Sequence, residues 1–280
     1  MDDNFHPHPG PLDEGVLYLQ HDHRSNIAYD GDETVLRVRR CEYVGHDGEQ
    51  LPQWMRELLQ QAGFYGFWRV GFMKIDWHLI TSLVERWRPE THTFHLPVGE
   101  CTITLQDVNV LLGLPVDGAA VIMDTTGIDL RQRCHDLLGR DPADRDWKGS
   151  RLKMSWIKNQ FLPIPVDVDD NEVREQYARA YILLMIGGCL FPDNSSSHLY
   201  ASFLPLLEDF GTIGHYSWGS ATLAWLYRQL CRASRATATE IWGPVILLQL
   251  WAYEHITFAR PVIVLPAINP EQEQLPLGHR

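Results

Sequence analysis

Residues 63–115 constrain the fold more than any other part of the chain. They open with GFYGFWRVGF, in which five aromatic side chains share ten positions with three glycines. Each such ring buries about 150–250 Å2 when packed, so the stretch belongs inside a core. The glycines predict a backbone that turns repeatedly while the rings plug that core. Asp76 then caps a helix whose Leu79, Ile80, Leu83, Val84 and Trp87 recur at helical spacing, with Pro89 closing the run. Alternation in 91–96 and 101–105 around Pro97-Val98-Gly99-Glu100 predicts a short hairpin. Thr104-Leu105-Gln106-Asp107 resembles a capping box with Asp in place of Glu. The helix it starts turns Val108, Leu111 and Leu112 inward and stops at Gly113 and Pro115.

The flanks are expected to pack onto this unit. Pro52 opens an amphipathic helix carrying Trp54, Met55, Leu58, Leu59 and Ala62, stopped by Gly63. Residues 16–39 alternate only locally, between Asp-Gly turn signals, and predict extended arms with short strands. Helices are expected near 129–138, over 151–161 up to Pro163, from Asp170 or Asn171 to about 190, and over 200–210, 221–232 and 241–258. The last is apolar nearly all round (Ile241, Val245, Leu248, Trp251, Ala252), which places it at the centre of the bundle. GRDPADRDWKGS, residues 139–150, is the most loop-like interior stretch and the best place for an insertion or a boundary. The resulting expectation is a mainly α fold, a single helical-bundle domain with a small β-hairpin and short N-terminal extended arms. The domain is expected over 16–266, with flexible tails at 1–15 and 267–280.

Composition excludes several function classes. A net charge of −12 opposes non-specific coating of nucleic acid, which needs an excess of lysine and arginine. The apolar runs are too short and interrupted to span about 30 Å of hydrocarbon. The acidic, proline-rich N-terminus has no apolar signal region, so the cytosol or nucleus is expected. Cys41, Cys101, Cys134, Cys189 and Cys231 are odd in number and widely spaced, as buried reduced thiols would be.

The familiar catalytic and cofactor motifs do not occur in the chain. The phosphate loop, the dinucleotide glycine motif, H-E-x-x-H and the nucleophile elbow are missing from the sequence. His21-Asp22-His23 lacks further ligands at a metal-site spacing and is expected to be a solvated loop. Asp141, Asp144 and Asp146 alternate without the glycine and closing glutamate of a calcium loop. No cofactor, metal or small-molecule substrate is expected. Two basic sets remain as candidates for nucleic-acid contact: Lys74, Arg86 and Arg88 around the helix that Asp76 starts, and Lys148, Arg151, Lys153 and Lys158. Helix, helix, then hairpin is also the order of a winged helix-turn-helix. The competing reading of these residues is ordinary solvated charge.

GFYGFWRVG, the run IDWHLITSLVERWRPETHTFHLPVGECTITLQDVNVLLGLPVDG and GPVILLQLWAYEHI together resemble the plant mobile domain, shared by MAIN-like (maintenance of meristems) proteins and by many transposon-carried plant genes. PLDEGVLYLQHDHRS is similar to the lead-in of members whose names refer to a long-form type-seven serine/threonine phosphatase. The likeness covers roughly 11–266. It implies a nuclear plant protein that acts in transcriptional regulation, transposon silencing and meristem maintenance with a phosphatase-like partner of the type-seven class. It leaves open direct contact with double-stranded DNA. The metallophosphatase signatures G-D-x-H-G, G-D-x-V-D-R-G and G-N-H-E are missing, so a phosphatase name would describe a fused or partner module. None of the four lysines sits in the setting of a Schiff-base lysine, and an aminotransferase-like label gains no support. The expectation is a non-catalytic scaffold, with a sequence-specific DNA-binding module as the alternative and an enzyme as the third reading.

Overall fold

In the computed structural model, residues 15–39, 51–71, 73–195 and 197–261 are described. The expected tails, apart from Gly15, and Cys41 lie outside them. A 3-10 turn at Gln20–Asp22 leads into α1 (Arg24–Tyr29) and β1 (Arg37–Val38). Then follow α2 (Gln53–Gln61), α3 (Tyr65–Val70), α4 (Trp77–Val84), β2 (Trp87–Arg88), β3 (Thr93–Leu96), β4 (Gly99–Cys101) and α5 (Leu105–Leu112). The next part comprises α6 (Leu130–Leu138), β5 (Trp147–Lys148), β6 (Arg151–Lys153), α7 (Met154–Phe161) and α8 (Asn171–Met185), which runs on through a π turn at Ile186–Leu190. After these come β7 (His198–Tyr200), α9 (Phe210–Ile213), α10 (Trp218–Ala233), β8 (Glu240–Ile241) and α11 (Val245–His255). The chain is mainly α, with three small sheets among the described residues. These are the parallel pair β1–β8 and the antiparallel orders β2-β3-β4 and β5-β6-β7.

Helix starts follow the cap chemistry. Asp76 accepts from the N–H groups of His78 and Leu79, Asp129 from Arg131 and Gln132, and Asp170 from Glu172. Thr104 and Asp107 form a reciprocal capping box. α11 is buried at every position from Val245 to Ala252 and packs on α4 and α5. Its one polar member there, Gln249, is fully buried: Nε2 donates to the Lys74 carbonyl (2.9 Å) and Oε1 accepts from the Asp76 N–H (2.7 Å).

Aromatic rings tie the first sheet to the helices. Trp87 on β2 meets Phe94 on β3 edge-on at 4.9 Å and Tyr227 on α10 at 5.0 Å, and Phe94 stacks on Trp251 of α11 at 5.0 Å. In the other half, α8 is buried from Ala178 to Met185 and packs against α2, α6 and α7. Its buried Arg179 donates to the Leu207 and Glu208 carbonyls and pairs with Glu175, so its charge is neutralised where it is desolvated.

Several expectations need correction: Ile241 lies in β8 beside Val38 and not in the last helix, and Ala201–Leu207 form a 3-10 helix within the span 200–210. The N-terminal arms contain α1, because the His23 ring caps it by accepting from the Ser25 N–H. FYGFWRV is mostly a helix, α3, which buries Phe67, Trp68 and Val70 while Gly66 lies against α5. Trp87 does not continue the stripe of α4: the helix ends at Val84, and Trp87 is extended opposite Phe94. Within 139–150, Asp146 is buried and Trp147–Lys148 pair with β6, and β6 itself replaces the expected start of a helix at Arg151.

Two substitutions test this packing. Replacing Gln249 by Leu keeps the volume but leaves the Lys74 carbonyl and Asp76 N–H without this partner, so urea denaturation should show a loss of about 2 kcal/mol. At Gly66, an added Cβ would lie 2.7 Å from the Gly113 carbonyl oxygen and 2.8 Å from its Cα. Gly66→Ala would normally gain about 1 kcal/mol in a helix, but here it should lower stability by about 2 kcal/mol because backbone must separate from backbone.

Candidate functional site

The β3–β4 hairpin turns through Pro97 and Val98, since Leu96 pairs with Gly99. That turn holds Val98 at 93% exposure, beside α5 and the end of α11. Between these three elements lies an open cavity of about 730 Å3. Leu96, Val98, Val110, Leu111, Trp251 and Ile256 form its apolar wall. Its polar lining comes from Thr102, Thr104, Gln106, Asp107, Glu254 and His255. The size lies within the roughly 300–1,000 Å3 typical of binding pockets.

The polar groups at this site are tied to the fold. Asp107 caps α5 by accepting from the Thr104 N–H (2.8 Å) and hydroxyl (2.7 Å), and His255 Nε2 at the end of α11 lies 3.0 Å from its other oxygen. Burial alone would raise the Asp107 carboxyl, but the bonds from Thr104 and His255 outweigh it and hold the group below the ordinary carboxylate range. Glu254 pairs with Arg260 at 2.6 Å. Burial raises the Cys101 thiol, which keeps it protonated. Cys101, Cys134 and Cys231 are free thiols.

The basic residues separate into different settings. Lys74 is exposed and precedes α4, with its carbonyl held by Gln249. Arg86 is exposed and closes α4 by donating to the Ser82 carbonyl at 2.8 Å. Arg88, expected at an exposed helix end, lies in β2 at 6% exposure and donates to Gln20 Oε1 at 2.5 Å. The structure does bring Lys148, Arg151 and Lys153 onto one small sheet. Lys148 faces Arg151, and Lys153 faces His198, which sequence reasoning missed. Arg151 is already committed to buried Asp193 at 2.7 Å. Burial lowers the His198 ring below the ordinary imidazole value; Asp193 opposes this, and Arg151, Lys148 and Lys153 add to it. Lys158 lies further along α7 and is half-buried.

His23 also departs from expectation. In place of a solvated loop, its ring is 2% exposed, with Nε2–H donating to the Trp87 carbonyl at 2.7 Å and Nδ1 accepting from Ser25. Next to it, Arg24 is buried, donates to the Ala238 and Thr34 carbonyls, and lies 3.7 Å from Glu85. Among the described residues no group of three or more His, Cys, Asp or Glu gathers as metal ligands. None of their helices is long and apolar enough to cross a membrane.

A mainly helical domain with a half-apolar groove and a separate basic sheet defines a class of protein broader than any one family. Sequence comparison narrows it: the plant mobile domain pattern matches residues 63–278, and the chain belongs to that family. It is 46% identical over 260 residues to an Arabidopsis thaliana protein named serine/threonine-protein phosphatase 7 long form homolog, covering 92% of this chain and 19% of that one. It is 41% identical over 255 residues to the A. thaliana protein MAIN-LIKE 2, covering 90% of this chain and 38% of that protein. With A. thaliana MAINTENANCE OF MERISTEMS the identity is 39% over 248 residues, 88% of this chain and 51% of the other. The chain thus spans about a fifth to a half of the length of these relatives. No solved structure matches it.

Burial is the largest influence on His23, followed by the Arg88 charge, and its pKa is lowered from 6.5 to about 4. A base whose folded pKa lies below its unfolded value binds more protons when unfolded, between those two values. Its stabilisation is therefore complete above about pH 6.5 and is lost as pH falls toward 4, a change of about 3 kcal/mol for this group. Urea denaturation at pH 7 and pH 4.5 should show a smaller pH dependence in His23→Gln than in the natural protein.

Proposed function

We propose that this chain is a non-catalytic interaction domain of a nuclear plant regulatory protein. It acts in transcriptional regulation, transposon silencing and meristem maintenance together with a phosphatase-like partner of the type-seven class. The observation that carries this reading is the groove between the hairpin tip, α5 and α11, where Val98, Val110 and Ile256 meet an open cavity at the surface. A partner seated there would remove the exposed Val98 and Val110 side chains from water. The family and the printed names of the relatives support the biological setting, since one is named for meristem maintenance and another as a phosphatase 7 long form homolog.

Sequence-specific DNA binding is the second reading, supported by the gathering of Lys148, Lys153 and His198 on the β5-β6-β7 sheet. Selection from a random pool of double-stranded DNA at low salt decides it. An enriched motif whose affinity falls with salt, and falls again in Lys148→Gln/Lys153→Gln, supports DNA binding; no enrichment removes it.

For the interaction reading, a tagged chain should accumulate in plant nuclei and co-purify with a phosphatase-class protein. Val98→Asp/Val110→Asp should reduce that recovery by about tenfold, because charge placed on the apolar wall must be desolvated on binding. Unchanged recovery with the folded double variant excludes the groove as the contact surface.

A further inference from the structure

The lining of the groove specifies what fits it. Val98 at the hairpin tip and Val110 on α5, 40% exposed, line the cavity together with the buried Trp251 and Leu111. Apolar side chains seated there would leave water at both surfaces, which is the main source of association free energy. Asp107 and Glu254 supply two carboxylates, and no lysine or arginine is among the described lining residues. His255 is the one basic side chain among the described lining residues.

The structure also contains a cation already drawn to this rim. Arg260, outside the groove, places Nη2 2.6 Å from Glu254 Oε2 and donates through Nε to the Tyr253 carbonyl. Its side chain remains 46% exposed. An ion pair that exposed is weak, so exchanging it for an incoming guanidinium or ammonium costs little. Anionic ligands, nucleic acid included, meet the two carboxylates and are repelled.

Resting on the interaction reading above, we propose that this groove binds a short segment of another protein in which large apolar side chains lie next to an arginine or lysine. The apolar side chains seat on Val98, Val110, Leu96 and Ile256, and the cation meets Glu254 on the side of the groove that Asp107 also lines. The basic β5-β6-β7 sheet takes no part in this contact.

A phage-displayed library of random peptides selected against the full chain tests the proposal. The expected pool is enriched in apolar residues flanked by arginine or lysine. A synthetic peptide from it, followed by fluorescence anisotropy, should bind about tenfold more weakly to Val110→Lys and about fivefold more weakly to Gln106→Lys. Gln106 is exposed and lines the groove, so its replacement adds a repelling charge with the apolar wall left intact. A version of the peptide with glutamine in place of its cation should bind more weakly and lose its sensitivity to Gln106→Lys. Failure to enrich, an enriched acidic pool, or equal binding by Val110→Lys would overturn the proposal. A dimer in sedimentation experiments that dissociates in Val110→Lys would also overturn it, by making a second copy the occupant. If the peptides bind as expected but no phosphatase-class protein co-purifies, the partner reading fails and the groove chemistry stands. If that protein co-purifies equally with Val110→Lys and no peptides are selected, the reverse holds.

Discussion

The arrangement of the first half depends on Gln249, the polar interruption in an otherwise apolar helix. Apolar contacts around a helix as buried as α11 are not directional, and by themselves they leave its register some freedom. The Gln249 amide removes that freedom by binding a carbonyl and an N–H of one short segment, Lys74 to Asp76. The same segment supplies the cap of α4. A single side chain therefore fixes α11 in register with α4, and every group around α11 inherits that register.

From there the aromatic line carries position to the groove. Trp87, Phe94 and Trp251 are in sequential ring contact, so β2, β3 and α11 cannot shift independently. Trp251 in turn lies 5.2 Å from the His255 ring, and His255 reaches Asp107 across the groove. Asp107 both starts α5 and anchors the end of α11, which makes the groove walls parts of one hydrogen-bonded frame. Tyr227 closes the frame from α10 by donating to the Ile103 carbonyl just before that helix.

Local chemistry was the legible part. Asp76, Thr104 with Asp107, Asp129 and Asp170 each start a helix for reasons contained within four residues, and the all-round apolar run of α11 identifies a buried helix. The misreadings arose where a distant partner outweighed the local pattern. Trp87 continues a helical stripe in sequence but leaves the helix to pair with Phe94 and pack on Tyr227. The charged run 139–150 looks like a loop, yet its end is held by pairing with β6 and through it β7. His23 and Arg88 look like surface residues until the same core closes over both.

The amino-acid sequence alone therefore determined a mainly α chain, its capped helices, its buried last helix and its family, because these depend on short-range periodicity and on recognisable residue strings. Tertiary structure alone decided which basic residues face water, that β1 pairs with β8, and that the hairpin tip, α5 and α11 enclose a groove. Those features join residues far apart in the chain, as His255 and Asp107 are, and no local pattern records which distant side chain will satisfy a carboxylate or cover a ring. The stretch from Gly63 to Pro115 contributes Leu96, Val98, Asp107 and Val110 to that groove, but its opposite wall comes from α11.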